Sequence, residues 1–262
     1  DRVFHNGDIF TSIALRLLFR PTQNVIDMID ESLKDTGLST ASLMGDPATA
    51  ALSVPVMGIQ VRTGRKFSDH LYLRPDTTDL FISCSVKTIH KALAETEPGF
   101  EGEPVLRGNR FHETRGSGLK LLVFLTTDDE TLIAKWSKAL YQDKDYPLTE
   151  EEVALVYINE AIAHSGTEFA RKEAKRLGAN PVRAHIKVAA DFWMLTRANL
   201  LMTTFYSSFG SIAHAMNPFD PVNYVIPFEW PAWCPEEASI HSVQQAKAEE
   251  EARIKEEAKK KR

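Results

Sequence analysis

The chain has 262 residues, of which 43% are hydrophobic and 26% are charged, proportions that are ordinary for a globular protein with a sizeable core. Its formal net charge of -5 argues against a nucleic-acid-binding protein, because such proteins usually present a basic face. No run of about 18 apolar residues occurs, so no segment of the sequence is predicted to span a membrane.

Residues 1–50 are predicted to be helical. An apolar run at 10–19 ends before a proline, and a second helix begins after Thr22, which can cap it. Apolar side chains then repeat at helical spacing until Gly37. Residues 36–50 are rich in glycine, serine, threonine and alanine, so we predict a linker there and a domain boundary near residue 50.

Strand and helix patterns alternate over residues 51–235. The first part is predicted to contain a strand at 54–61, a loop at 65–80, a helix at 81–93, a loop at 98–118, a strand at 119–125 and a helix at 130–141. The second part is predicted to contain a helix at 149–162, a helix at 181–197, a strand at 199–205, a helix at 207–216 and a strand at 224–227. The helix at 149–162 is expected because Thr149 and Glu152 have capping-box spacing. This alternation favours an α/β fold with a parallel, doubly wound sheet.

Residues 236–262 are predicted to form a charged C-terminal helix. From Gln245 onward the segment has one large apolar residue, Ile254, and its acidic residues precede its basic ones, an order that suits the helix dipole. We interpret it as a solvated helix. A helix that binds a protein partner would need an apolar stripe, which is absent here. A protein partner at this helix is therefore kept only as the alternative.

Arg62 follows the first predicted strand, in the segment GIQVRTGRK at residues 58–66. In open α/β sheets ligands bind beyond the carboxyl ends of the strands, and a guanidinium there offers a fixed fork of donors that matches a diphosphate. An arginine that bridges a nearby carboxylate is the structural alternative.

Asp128 and Asp129 follow the second strand, in the segment LTTDDE at residues 125–130. Adjacent carboxylates at this position can cap the helix that comes next, and this role accounts for at least one of them. Whether the other faces a ligand is left open by the pattern.

The third segment runs over residues 190–216. Asp191 precedes an apolar helical stretch, and Ser207, Ser208, Phe209 and Gly210 open a helix just after a strand. Backbone N–H groups at a helix start, with small hydroxyl residues around them, form a natural anion site. Simple capping by the serines is the alternative.

The order of these segments resembles the donor domain of the fucosyltransferases, a family that includes α1,6-type, plant-type α1,2 and protein O-fucosyltransferases. GIQVR at 58–62 is similar to a first family motif that reads G-[VI]-[HQ]-[VI]-R. A later motif, D-[MI]-x-[FL]-L-[ST] followed by T-F-x-S, is matched by Asp191, Leu195, Thr196, Thr204, Phe205 and Ser207. The SSFG portion and residues 17–29 look closest to the plant and algal branch. The resemblance covers residues 15–230 discontinuously.

The resemblance implies a GT-B architecture, in which two Rossmann-like domains face a cleft and the C-terminal one binds GDP-fucose. Residues 51–235 would be this donor half, and residues 1–50 a helical remnant of the acceptor domain and its linker. Arg62 would hold the β-phosphate and Asp191 would recognise guanine. The remaining donor-binding residues implied are Asp128 and Asp129 at the nucleotide pocket, Ser207 and Ser208 at phosphate with Phe209 beside them, and Lys66.

Some positions depart from the family pattern. Thr63 stands where the α1,6 branch has a second basic residue, and Gln60 stands where histidine is common. No carboxylate aligns as the catalytic base, so Asp69 and His70 are the nearest candidates, and Arg62 with Asp69 make up the predicted catalytic set. Fifty residues are too few for a complete acceptor domain, and the chain begins at Asp1 rather than Met, so we expect a fragment, a reduced acceptor side or one supplied by a partner.

No metal or cofactor is predicted. Asp143, Lys144 and Asp145 fit a D-x-D pattern but lie in a polar stretch, and the resembled family works without metal. The eight histidines are scattered singly, and Cys84 and Cys234 have no CxxC spacing, which argues against a zinc site. A disulfide between the two cysteines is left open by the sequence.

The leading hypothesis is therefore an inverting, metal-independent glycosyltransferase that moves fucose from GDP-fucose to a glycan or protein hydroxyl. The alternative is a non-catalytic scaffold or interaction protein that keeps the fold, motivated by the short N-terminal part and the missing base. The resemblance suggests the Golgi or ER lumen, and the sequence itself leaves the compartment open.

Overall fold

The computed structural model describes residues 20–44, 54–63, 75–95, 106, 119–142, 147–160, 180–204, 207–217 and 222–226. Within these ranges the helices are α1 (Gln23–Leu33), α2 (Thr40–Met44), α3 (Pro75–Glu95), α4 (Thr131–Tyr141), α5 (Pro181–Leu195) and α6 (Ser208–Met216), with a 3-10 turn at Lys34–Thr36. The strands are β1 (Val56–Val61), β2 (Leu121–Thr127), β3 (Val153–Val156), β4 (Leu200–Thr204) and β5 (Val222–Ile226).

The five strands form one sheet in the order β3-β2-β1-β4-β5, and every neighbouring pair is parallel. The chain builds outward from β1 through β2 to β3, and then returns to the other side of β1 with β4 and β5. The direction of winding thus reverses between β1 and β4. The α/β fold with a parallel, doubly wound sheet is confirmed, and this reversal defines the point where such sheets bind ligands.

Helices cover both faces of the sheet. One face packs against α3 and α4, where Trp136 is fully buried and lies edge-on to Phe81 at 5.8 Å. The other face packs against α1, α5 and α6, where Trp193 is the largest fully buried side chain. Because β1, β2 and β4 are buried on both faces, they read as nearly continuous apolar runs in the sequence.

Gly58 lets the C-terminal end of α5 approach β1. A Cβ atom at this position would lie 2.8 Å from Leu201 Cδ2, 2.9 Å from Leu195 Cδ2 and 3.1 Å from Ala198 Cβ. These atoms belong to well-packed core side chains, so the motif glycine serves the packing of α5 on the sheet.

The helix predicted after Thr22 is present as α1. Thr22 occupies the N-cap position with an extended backbone, but its side chain makes no capping hydrogen bond, and only its carbonyl oxygen accepts from the first turn. The helical stretch ends at Gly37, whose φ of 71° suits glycine. Helix α1 packs against α5 in the same core as the sheet. The predicted helix at 10–19 and the predicted boundary near residue 50 lie outside the described residues.

Helix α3 begins earlier than the sequence indicated. Residues 65–80 were expected to be a loop, but α3 starts at Pro75. A proline is favourable in the first turn of a helix, where its missing N–H would have no helical partner. The following polar residues resemble a loop in sequence, yet Thr77 and Thr78 are buried. The loop prediction is therefore wrong for residues 75–80.

The helix predicted from Thr149 is wrong at its core, because Val153–Val156 forms the edge strand β3. Thr149 and Glu152 do exchange hydrogen bonds, at 3.1 Å between Thr149 Oγ1 and Glu152 Oε2 and 3.3 Å between Glu152 N and Thr149 Oγ1. These bonds stabilise a turn, and the chain then pairs with β2. Pairing between distant segments overrides the local capping signal here.

Tyr141 protects the outer edge of β3. Its hydroxyl donates to Val153 O at 2.9 Å and accepts from Leu155 N at 3.0 Å, so one side chain satisfies two edge groups of the strand. Burial raises the pKa of this phenol, the hydrogen bond from Leu155 opposes the rise, and the nearby charge of Glu150 adds to it. Unpaired strand edges invite pairing with another chain, and this contact reduces that risk.

Two further observations concern the cysteines and the lengths of the helices. Cys84, on α3, is buried and disulfide-bonded, and the sequence has one other cysteine, Cys234, outside the described residues. In the part of the chain that the structure describes, no helix has the length and apolar character needed to cross a membrane. The predicted charged helix at 236–262 lies outside that part.

Candidate functional site

The turn after β1 is attached to β4. The backbone N–H of Arg62 donates to Thr204 Oγ1 at 2.9 Å, and that hydroxyl donates to the carbonyl oxygen of Gln60 at 3.2 Å. Arg62 itself is half-buried. The predicted phosphate-binding arginine therefore lies where the winding of the sheet reverses, between the carboxyl ends of β1 and β4.

The same turn is attached to β2 through Asp128. Its Oδ1 accepts from the backbone N–H of Thr63 at 2.7 Å and from the Thr63 hydroxyl at 2.9 Å. Thr63 is fully buried. Thr63, at the position where the sequence departs from the resembled pattern, thus has a structural role, because it holds the carboxyl ends of β1 and β2 together.

Asp129 binds the first residue of helix α4, whose N-cap position is held by Glu130. Its Oδ1 accepts from Thr131 N at 3.1 Å and from Thr131 Oγ1 at 2.7 Å, and its own N–H donates to Thr127 Oγ1 at 3.1 Å. The side chain is buried. Asp129 thus satisfies the N–H at the start of α4, close to the capping role that the sequence offered as the alternative for one of the two aspartates.

Asp191 lies on α5, directly over the carboxyl end of β2. Its Oδ2 accepts from Lys187 Nζ at 2.7 Å and from Thr126 Oγ1 at 2.9 Å. Its Oδ1 is buried and has no hydrogen-bond partner within the described part of the chain. Burial raises the pKa of Asp191, whereas the charge and hydrogen bond of Lys187 and the hydrogen bond from Thr126 lower it.

A row of polar side chains crosses the same face of the sheet. Gln60 on β1 is in register with Thr126 on β2 and with Thr203 on β4. Side chains at one register level of parallel strands point to the same face, so this row faces α5 and α6. Gln60 is 5% exposed, and its Oε1 accepts no hydrogen bond from the described residues. The row therefore adds a second buried acceptor to the one on Asp191.

Helix α6 begins at this row. Ser207 is its N-cap, and the Ser207 hydroxyl accepts from Gly210 N at 3.4 Å. A Cβ atom on Gly210 would lie 2.8 Å from Thr203 Cβ and 3.1 Å from Gln60 Oε1, so this glycine permits the helix start to approach the row. The capping alternative for Ser207 is confirmed.

The other two residues of the SSFG segment differ in exposure. Ser208 is exposed in the first turn of α6. Phe209 is half-buried and packs edge-on against Phe192 of α5 at 5.3 Å between ring centroids. Phe209 thus joins the two helices on this face, and Ser208 is the hydroxyl that faces solvent.

The structure brings five predicted residues to one edge of the sheet: Arg62, Asp128, Asp129, Asp191 and Ser207. Lys66, Asp69, His70 and the D-x-D pattern at 143–145 lie outside the described residues. Lys187 was missed from the sequence, although it stands four residues before Asp191 in an apolar helix, a spacing that brings side chains together.

A groove of about 1370 Å³ runs along the edge of β3 and includes Lys187 and Thr127 in its lining. Arg62, Asp191 and Ser207 do not line it. We place the candidate site at the strand ends rather than in this groove, because residues from three separate segments meet at the strand ends and two buried acceptors there have no donor among the described residues.

Comparison with known proteins gives no further assignment. No protein-family model matches the chain, and no curated protein matches it significantly.

Proposed function

We propose that this chain is the donor-binding half of a GT-B glycosyltransferase of the fucosyltransferase type, which takes GDP-fucose as its donor. One observation carries the proposal: the motif residues of three separate segments converge where the winding of the sheet reverses. Ligands of doubly wound sheets bind at such a point, beyond the carboxyl ends of the strands. The order of the motifs alone would not require them to meet.

The diphosphate would bind between Arg62 and the start of α6. Arginine matches phosphate oxygens with a rigid fork of donors, and the first N–H groups of a helix carry partial positive charge. Ser207 is buried whereas Ser208 is exposed, so Ser208 is the better placed of the two serines to donate to a phosphate. The guanidinium of Arg62 and the partial positive charge at the start of α6 would act most strongly as the leaving diphosphate gains negative charge.

The guanine base would bind at Asp191. Guanine carries adjacent N–H donors, and the unpartnered Oδ1 of Asp191 is an acceptor that such donors satisfy. Asp191 is 5% exposed, so the residues that cover Oδ1 must move aside when the base enters. A buried acceptor without a donor costs about 1–3 kcal/mol, which a bound base would offset.

The proposed reaction is an inverting transfer. An acceptor hydroxyl on a glycan or protein attacks the anomeric carbon of fucose, the bond from that carbon to the diphosphate oxygen breaks, and GDP leaves with the electron pair. The hydroxyl proton passes to a general base, for which Asp69 and His70 are the candidates nearest to the arginine motif in the sequence. Disulfide bonding at Cys84 supports an oxidising compartment such as the Golgi or ER lumen, because disulfides are rare where thiols are kept reduced.

The second candidate is a protein that keeps the fold without catalysing transfer. Two contacts favour it, because Asp128 binds Thr63 and Asp129 binds Thr131, which gives each aspartate a structural role. Incubation with GDP-fucose and an acceptor mixture separates the two: the enzyme releases GDP, whereas the scaffold binds GDP and releases none.

A thermal-shift titration with GDP, UDP and ADP tests donor binding. We expect GDP to raise the melting temperature and the other two nucleotides to do so much less, because only guanine offers its pair of N–H donors to Asp191. Equal shifts with all three nucleotides, or none with GDP, would contradict the proposal.

The variant Arg62→Ala tests the phosphate contact. It should weaken GDP binding by at least about tenfold, since charged hydrogen bonds contribute about 1.5–3 kcal/mol. The matched control is Arg183→Ala, because Arg183 lies on α5 away from the strand ends and pairs with Glu160 at a half-exposed position. Normal GDP binding by a folded Arg62→Ala protein would show that the site is misplaced.

A further inference from the structure

Lys187 and Asp191 form an ion pair inside the protein, and the resemblance to fucosyltransferases accounts only for the aspartate. Lys187 Nζ lies 2.7 Å from Asp191 Oδ2, and the residues are 6% and 5% exposed. Charged side chains are rarely buried this deeply, because their attraction often fails to compensate for the loss of water. Such a pair at a strand end indicates a role beyond packing.

The two oxygens of the Asp191 carboxylate have different surroundings. Oδ2 accepts from both Lys187 Nζ and Thr126 Oγ1, which fills its two lone-pair sites. Oδ1 is buried and accepts nothing from the described residues. Lys187 and Thr126 thus fix the rotation of the carboxylate and leave both sites of one oxygen unused.

We propose that Lys187 is a positioning residue of the donor site, which holds Asp191 as a carboxylate turned so that Oδ1 accepts both the N1–H and the N2–H of guanine. The inference rests on the proposed function, because it takes a guanine nucleotide as the ligand. Without Lys187, the buried carboxyl would bind a proton and present an O–H donor where the base needs an acceptor.

Lys187 is the charged group in direct contact with Asp191. The strands beneath contribute neutral side chains, Thr126 from β2 and Gln60 from β1. The other charged or titratable groups on the elements packed around this position are Asp27, Asp30 and Glu31 on α1, Arg183 and His185 on α5 itself, Arg62 beyond β1, Asp128 and Asp129 beyond β2, and His214 on α6. Burial raises the pKa of Asp191, and Lys187 is the main opposing influence.

The test compares the pH dependence of GDP binding by calorimetry in wild type, Lys187→Met and Lys187→Arg. We expect Lys187→Met to bind at least about tenfold more weakly at the acid end of a range of about pH 6 to 9, and to recover toward wild type as the pH rises. Lys187→Arg keeps the charge and should restore a nearly flat profile. The matched control Lys135→Met removes a half-exposed lysine from the opposite face of the sheet and should leave binding unchanged.

A residue needed only for packing would weaken binding by the same factor at every pH. That result, or wild-type affinity in Lys187→Met at every pH, would overturn the assignment of Lys187.

A second measurement remains valid even if Lys187→Met does not fold. In the unliganded wild-type protein, the carboxyl carbon of Asp191 is followed by NMR through a pH titration, with Asp191→Asn to assign its signal. We expect an ionised carboxylate at neutral pH, and a protonated Asp191 there would overturn the inference. If Asp191 is ionised but GDP does not bind selectively, the proposed function fails instead.

Discussion

The face of the sheet that packs against α5 and α6 is apolar at one end and polar at the other. Toward the amino ends of the strands its side chains are fully buried among apolar neighbours, namely Val56, Leu122 and Leu201. Toward the carboxyl ends the row consists of Gln60, Thr126 and Thr203. The first end contributes to stability through packing, whereas the second contains buried acceptors without donors in the described ranges, a cost that proteins tolerate at functional sites.

The largest effect is expected from breaking the Lys187–Asp191 pair on one side only. Lys187→Met or Asp191→Asn should each lower the free energy of unfolding by about 3–5 kcal/mol, because a buried group loses its partner, whereas the double variant should lie near wild type. Urea denaturation measures this cycle. A double variant whose loss of stability equals the sum of the two single losses would show that the pair is not energetically coupled.

The same pair determines the sign of a pH dependence. Burial raises the pKa of Asp191 in the folded protein, although Lys187 and Thr126 oppose it. The contribution of this group to stability is therefore fully present below the unfolded pKa and is lost as the pH rises through the folded one. The double variant lacks the titrating carboxyl of Asp191. It should therefore gain stability relative to wild type as the pH rises above the usual pKa of an aspartate. Unfolding curves at several pH values measure the difference, and a constant difference would refute it.

Gly58 and Gly210 allow the apolar end and the polar end of this face of the sheet to be tested separately. Gly58→Ala should lower the free energy of unfolding by about 1–3 kcal/mol through overpacking against Leu195 and Leu201, without a specific loss of GDP affinity. Gly210→Ala should cost a similar amount and also weaken GDP binding, because the new methyl group pushes the start of α6 away from Thr203 and Gln60. Stability and affinity measured on both variants check this, and equal affinity losses would remove the distinction between the ends.

The smallest effect is expected at the edge of the sheet. Tyr141→Phe should lower the free energy of unfolding by about 0.5–1.5 kcal/mol, because Val153 O and Leu155 N lose the hydroxyl that satisfies them. It should also increase self-association, since the edge of β3 becomes available for pairing. Analytical ultracentrifugation measures association, and a monomeric variant of unchanged stability would show that the hydroxyl has no protective role.

The parts of the fold that could be predicted are those whose signals are local. The doubly buried strands appear as apolar runs, and α5 and α6 are capped by Asn180 and Ser207, whose side-chain oxygens accept a hydrogen bond from the first turn. Strand β3 was missed because its four residues become a strand only by pairing with β2. The capping-box spacing of Thr149 and Glu152, just before this strand, is a local signal for a helix, which the structure does not form there.

In the candidate site, too, local motifs could be recognised in the sequence, whereas contacts between distant residues could not. Arg62 and Asp191 were predicted as site residues because each belongs to a motif, and the rule about strand ends predicted that they would lie at one edge. The hydrogen bonds between Asp128 and Thr63 and between Asp191 and Thr126 each join residues 65 positions apart, so no local pattern indicates them. Lys187 could have been found from its spacing to Asp191 in an apolar helix.

The turn that carries Arg62 is pinned by Thr204 on one side and by Asp128 on the other. A flexible loop loses conformational entropy when it closes on a ligand, and that loss lowers affinity. Here the backbone of Arg62 and Thr63 is already ordered by contacts that need no ligand. If the proposed diphosphate binds at this turn, the backbone of Arg62 and Thr63 needs little further ordering, so the entropy lost on binding comes mainly from the ligand and the Arg62 side chain.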